Sequence, residues 1–280
     1  ISLSEVLSTP ATRQAGEPFF GYFLPALTAM VGFWATLSLN IPDFSRYARS
    51  QRAQVVGQII GLPFTMLLFA GLGVILTAAS GELVGETISD PVTLIGRIES
   101  PVWVVLAMLF IILATISTNT AANIVSPTNV FQNIAPKLIN ENKGVILTGI
   151  IGIALMSWEL MKRLGWIETE VSVEGLYANW LLTYSSLLGP IAGIMVVDYF
   201  LVRDQRYDAI ALYKDNAGYP AWNLPGFIAF LVPVGLTIAA MVVGDSSWFY
   251  SFYENGWFTG SILGGLIYYF VAAKPAGSST

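Results

Sequence analysis

The chain has 280 residues, 55% hydrophobic and 11% charged, with 13 Lys and Arg against 18 Asp and Glu. A soluble domain usually carries about 25% charged residues, so this balance excludes one, and the net charge of −5 says little because membrane proteins encode charge loop by loop. There is no Cys and no His, which excludes disulfides and thiolate metal sites and removes the commonest general base, metal ligand and neutral-pH proton relay.

Residues 1–16 are polar and contain Pro10. They lack a basic start and an apolar core, so they read as part of an N-terminal loop over 1–18 rather than a signal peptide. Because the first residue is Ile1, the chain is expected to begin inside a longer protein. Spanning helices are then expected over 19–46, 53–79, 101–126, 144–161, 175–201, 222–243 and 256–273. A bilayer takes about 20 apolar residues of helix. The short alternating segments of a β-barrel are absent, so the fold class is an all-α, polytopic membrane protein. The first span is expected to be discontinuous. Gly32 tolerates unwinding, and Pro42 removes a backbone donor and disfavours helix at Ile41.

The loop over 80–100 is acidic and of mixed hydrophobicity, suited either to a short interfacial helix acting as a lid or to a plain solvent loop. The chain thus divides into the loop 1–18, five helices over 19–202, two further helices and a cytoplasmic loop over 203–274, and a tail over 275–280 that reads as disordered. If the helices alternate, Arg46, Arg49, Arg52, Lys137, Lys143, Arg203, Arg206, Lys214 and Lys274 share one side. Arg13, Arg97, Lys162 and Arg163 share the other. The positive-inside bias then sends the first helix inward and leaves the C-terminus in the cytoplasm.

Chemistry concentrates in the third span. Every residue from Pro101 to Leu113 is apolar, and then five of the seven residues from Ala114 to Thr120 carry a hydroxyl or amide. Polar groups in hydrocarbon need partners, so this cluster faces helices, a water-filled cavity or a bound solute. Ala114, Ser117 and Thr118 stand at i, i+3 and i+4 and share a face. Their hydroxyl and carbonyl oxygens suit a hard cation such as sodium. Asn119 and Asn123 line one face further along, and carboxamides suit the N–H and C=O edges of a planar ring. Single Ser, Thr or Asn residues often only join helices; six such residues within 115–123 favour a site.

In the first span, Gly32, Phe33 and Trp34 lie beside the expected break, where Trp34 offers a ring face and one N–H donor. The alternative for Trp34 is packing against lipid or a neighbour. A broken helix near mid-membrane is the best sequence pointer to a transporter's site. Asp43 and Asp198 lie near helix ends close to Arg46 and Arg203, as interfacial ion pairs or gate parts. In the fifth span, Tyr184 to Pro190 combines polar, small and helix-bending residues, with Gly189 and Pro190 either a hinge or a static kink.

Three stretches carry a resemblance: Phe33 to Ala48 (FWATLSLNIPDFSRYA), Ser117 to Pro127 (STNTAANIVSP) and Leu188 to Phe200 (LGPIAGIMVVDYF). Through them the chain resembles the nucleobase:cation symporter-1 family, permeases for cytosine, uracil, allantoin, hydantoin and related rings. The resemblance implies a twelve-helix transporter built on two inverted five-helix repeats, of which this chain holds helices six to twelve. The missing N-terminal helices would then be partners within the same protein. By motif, Trp34 resembles the aromatic that stacks on the substrate ring and Asn123 the amide that hydrogen-bonds it. Ala114, Ser117 and Thr118 resemble half of a sodium site, and Leu187, beside Tyr184, an outer gate. Phe33 departs from the small residue some relatives have there, which bears on pocket size.

The expected function is a cation-coupled symporter, driven by sodium or a proton, that imports such a ring across the plasma membrane by alternating access. The scarcity of intramembrane acids favours sodium. No cofactor and no nucleic-acid partner are expected. A non-transporting receptor of the same fold and a carrier of another small solute, such as an amino acid, are the alternatives. An enzyme is not expected, for lack of a nucleophile, base or metal site.

Overall fold

A computed structural model of the chain describes residues 18–166, 173–208, 210–211, 214, 222–245 and 247–272. The expected N-terminal loop lies outside these residues except for Pro18, and the tail over 275–280 lies wholly outside them. Regular structure among the described residues is helical throughout. The helices are α1 (Phe19–Asn40), α2 (Pro42–Ser45), α3 (Gln51–Val84), α4 (Pro91–Ile95), α5 (Pro101–Asn119), α6 (Val125–Ile134), α7 (Glu141–Arg163), α8 (Val173–Val197), α9 (Leu224–Val243), α10 (Ser251–Glu254) and α11 (Gly256–Val271). Two π-helical turns extend this set, Thr120–Ile124 between α5 and α6 and Asp198–Val202 after α8.

Five stretches among the described residues are long and apolar enough to cross a bilayer: Phe19–Asn40, Gln51–Val84, Pro101–Ile134, Trp180–Val202 and Leu224–Val243. Their outward faces carry exposed Leu, Ile, Val and Phe, as lipid-facing helices do. The other two expected spans also form helices. Of these α7 is polar at both ends, and α11 starts at Gly256 as expected but ends at Val271, after 16 residues.

The described residues form two compact units, one holding Pro42–Arg163 and the other those of 18–41 and 164–272. In the first unit α3 runs 34 residues, capped by the Ser50 hydroxyl, which accepts from Ala53 N at 3.1 Å, and ended by Gly85 at φ 82°. That left-handed φ is one glycine adopts without strain. Residues 80–84, expected to belong to the loop, extend α3 instead, and the rest of the 80–100 segment folds back on its end. Buried Ser80 accepts from Ile88 N at 2.8 Å and donates to the Thr77 carbonyl at 2.7 Å. The segment holds a short helix, α4, N-capped by Asp90, which accepts from Thr93 N at 2.9 Å. Glu86 and Arg97 pair across the turn.

The third span extends past its expected end at residue 126. A π-turn and α6 carry it to Ile134, and α6 packs on α7, where a Cβ on Gly144 would stand 2.9 Å from Thr128 Cγ2.

In the second unit α1, α8, α9 and α11 pack together. The expected discontinuity of the first span falls at Ile41, whereas α1 is regular through Gly32. Pro42 has no N–H to donate back into the helix, which ends α1. Gly32 serves a close approach rather than an unwinding. A Cβ there would lie 3.0 Å from both the Leu181 carbonyl oxygen and Ser185 Cβ of α8. Buried Thr28, Gly32 and Ala35 form the α1 face in that contact.

The α8–α11 seam is closer still. Gly189 and Gly193 of α8 meet the backbone of α11 at Trp257 and Ser261, and Gly260 and Gly264 of α11 lie on Pro190. Ser261 Oγ donates to the Gly189 carbonyl at 2.9 Å. Small residues of this kind let membrane helices approach where no hydrophobic effect drives them together. Gly189 and Pro190 are both buried in this seam.

Candidate functional site

The polar cluster of the third span is built around the π-turn. Thr120 N reaches both the Ile116 and Ser117 carbonyls, and the turn runs to Ile124. A π-turn inserted in an α-helix is a frequent mark of a functional position. Asn119 Nδ2 donates to the Thr115 carbonyl at 2.9 Å, and Asn123 Nδ2 donates to Asn119 Oδ1 at 2.6 Å. The two predicted amides are therefore brought together into one chain of hydrogen bonds, and both side chains are exposed.

One turn earlier, Ser117 Oγ donates to the Ala114 carbonyl at 3.2 Å, so two of the three predicted cation oxygens are neighbours. Thr118 stands beside them in sequence, exposed like both. A hydroxyl that donates its proton keeps its lone pairs for a cation. The two hydroxyls and the carbonyl are oxygen groups, the class of ligand that hard cations take.

The remaining predicted residues lie in the other unit. Trp34 is partly buried and its ring meets Phe33 edge-on at 5.4 Å between centroids, while Phe33 itself is exposed. Tyr184 of α8 donates its hydroxyl to the Gly32 carbonyl at 2.6 Å and stacks on Trp180 at 4.9 Å. Leu187 is exposed one turn further on. Thus the Gly32 carbonyl is joined to Tyr184, with Phe33 and Trp34 next to it in sequence, whereas Ala114, Ser117, Thr118, Asn119 and Asn123 belong to the first unit. Replacing Tyr184 with Phe removes one partly buried hydrogen bond and is expected to destabilise by about 1 kcal/mol, read as a lower melting temperature in detergent.

Of the two carboxylate–arginine pairs expected, Asp198–Arg203 forms, whereas Asp43 takes an amide partner instead of Arg46. Asp43 of α2 accepts from Asn129 Nδ2 of α6 at 2.9 Å, while the Arg46 guanidinium lies 5.0 Å from the centre of the Tyr47 ring. Asp198 does pair with Arg203, Nε to Oδ2 at 2.9 Å. Its Oδ2 also accepts from Tyr207, and its Oδ1 accepts from the buried Tyr268 of α11 at 2.7 Å. Asn223, which caps α9 by accepting from Gly226 N at 3.1 Å, reaches the Tyr268 hydroxyl at 3.4 Å. Desolvation, then the Asp198 hydrogen bond and charge, push the Tyr207 phenol well above its ordinary value of 10.0.

With this arrangement in view, the comparison with known families is decisive. The family model described as "Permease for cytosine/purines, uracil, thiamine, allantoin" matches residues 2–268. The chain belongs to this permease family. It is 37% identical over 275 residues to the purine-uracil permease NCS1 of Arabidopsis thaliana, covering 94% of this chain and 44% of that protein. It is 35% identical over 269 residues to the allantoin permease of Bacillus subtilis, covering 95% and 52%. It is 30% identical over 247 residues to the hydantoin permease of Microbacterium maritypicum, covering 83% and 46%. The chain therefore spans about half the length of these curated relatives. No solved structure matches it. Family membership and the apolar helices make this permease-family chain an integral membrane protein, and the family is one of permeases rather than enzymes.

Proposed function

We propose that this family member imports a planar, nucleobase-like ring across the plasma membrane by alternating access, coupled to a cation. The observation that carries the reading is the hydrogen-bonded amide pair Asn119–Asn123 on a π-turned membrane helix. The relatives are named for purines, uracil, allantoin and hydantoin, rings that share N–H and C=O edges complementary to a carboxamide. Asn123 supplies that edge and Trp34 supplies a face for stacking, with Gly32 and Phe33 beside it. The Ala114 carbonyl and the Ser117 and Thr118 hydroxyls would hold sodium, which supplies positive charge to a site with few acids. Tyr184 and Leu187 act as gate residues. The rest of the site comes from helices of the same protein outside this chain, and its C-terminus faces the cytoplasm. Ring and cation strengthen one another's binding by linkage.

The test is uptake of labelled allantoin, uracil, cytosine and a benzyl-hydantoin in sodium and in choline buffer, by cells expressing the protein at its full natural length. Sodium-dependent uptake of one ring is expected. Aromatic stacking on a base is worth about 1–3 kcal/mol, so Trp34→Ala should raise KM for that ring roughly tenfold. Ser117→Ala and Thr118→Ala should weaken the sodium dependence. Equal uptake in choline discards the sodium site, and no uptake of any ring discards the substrate class.

A further inference from the structure

The hydrogen bonds along the third span have a direction. The Thr115 carbonyl only accepts. It therefore takes the Nδ2 of Asn119, at 2.9 Å, and leaves Asn119 Oδ1 facing the next turn. That oxygen also only accepts, so Asn123 turns its Nδ2 toward it, at 2.6 Å. The two ends of an amide are otherwise interchangeable in shape, and only the network sets which is which. Here the order is imposed from the backbone outward, through one side chain to the next. With one Nδ2 proton committed, Asn123 keeps one N–H and its Oδ1, a donor beside an acceptor in a known order.

The geometry points to Asn119 as a positioning residue that holds the Asn123 amide in a single orientation and thereby sets which ring edge the site accepts. This rests on the reading of Asn123 as a ring contact. A lactam edge, N–H beside C=O, is complementary to one order of donor and acceptor. Cytosine, with its ring nitrogen beside an amino group, presents the reverse order on the corresponding edge. An Asn123 released from Asn119 rotates about its last torsion and offers both orders. Both its affinity and its discrimination then fall, because a mismatched edge leaves polar groups unpaired.

The experiment uses the protein at full natural length in cells, with labelled uracil and labelled allantoin as probes and unlabelled cytosine as competitor. Asn119→Leu removes the acceptor that Asn123 needs. It is expected to raise KM about tenfold with kcat changed less than roughly twofold, and to let cytosine compete better. Asn119→Asp keeps an oxygen toward Asn123 Nδ2. With that acceptor kept, the variant should restore KM and discrimination. Wild-type KM and discrimination in Asn119→Leu overturn the inference. So does an equal loss of kcat in both variants, which marks a merely structural residue. Asn123→Ala separates the two levels of the argument: if it transports normally, or if neither probe is taken up by the wild type, the ring-site reading itself fails.

Discussion

Gly193→Val is expected to destabilise the protein more than any other small substitution in its helix seams. A Cβ at Gly193 would fall inside the van der Waals shell of the Ser261 backbone oxygen, and Ser261 Cα would stand 2.9 Å away. The obstacle is helix backbone and cannot swing aside as a side chain does. The seam also has little room to slide, because a Cβ at Gly189 would meet the Trp257 carbonyl oxygen at 2.5 Å and one at Gly260 would meet Pro190 Cδ at 2.7 Å. Overpacking typically costs about 1–3 kcal/mol, and a backbone clash belongs at or beyond the upper end. The check is melting in detergent followed by size-exclusion chromatography. Gly235→Val is the control, since nothing lies within 4 Å of a Cβ there. A Gly193→Val protein that melts like the wild type would show that α8 and α11 do not pack through this seam.

Asp198→Ala is expected to have the second-largest effect. One carboxylate accepts from Arg203, Tyr207 and Tyr268, and these tie the end of α8 to the segment after it and to α11. The Asp198 side chain is only 13% exposed and that of Arg203 24%. Removing one partner of such a pair leaves the other charge poorly compensated, at a cost of about 3 kcal/mol. Asp198→Asn keeps an acceptor toward Tyr268 and should lose less. The same cluster predicts a pH effect. The folded-state pKa of Tyr207 is raised above its ordinary 10.0, so its contribution is fully present below pH 10 and is lost as pH rises through the raised value. Melting temperature recorded between neutral pH and alkaline pH should fall more steeply above pH 10 in the wild type than in Tyr207→Phe. Parallel curves would remove Tyr207 from the stabilising network.

The spans were legible because an apolar run of bilayer length has few stable ways to fold apart from a membrane-crossing helix. Their ends were less so. The third span is expected to end at residue 126, yet α6 continues to Ile134 and includes Pro127. That proline sits in the first turn after the π-turn, where a missing N–H is tolerated. Gly32 shows a different limit. Glycine permits both unwinding and close approach, and only the presence of Leu181 and Ser185 across from it decides between them. In the candidate site the spacing of Asn119 and Asn123 announced a shared face, but a shift from i+4 to i+5 hydrogen bonding has no compositional signature. The Asp198 cluster was half visible. Arg203 is a neighbour in sequence, whereas Tyr268 lies 70 residues away and carries no local signal of its role.

The π-turn at Thr120–Ile124 also divides the labour of one long helix. Residues up to Asn119 keep one helical phase, and residues from Val125 keep another. The first phase carries Thr115, Ser117, Thr118 and Asn119, the turn itself carries Thr120 and Asn123, and the second phase carries Thr128 and Asn129, which anchor the rod against α7 and α2. A one-residue slip in an unbroken α-helix turns everything beyond it by about 100°. The inserted turn absorbs that rotation, so the rod has two independent bearings.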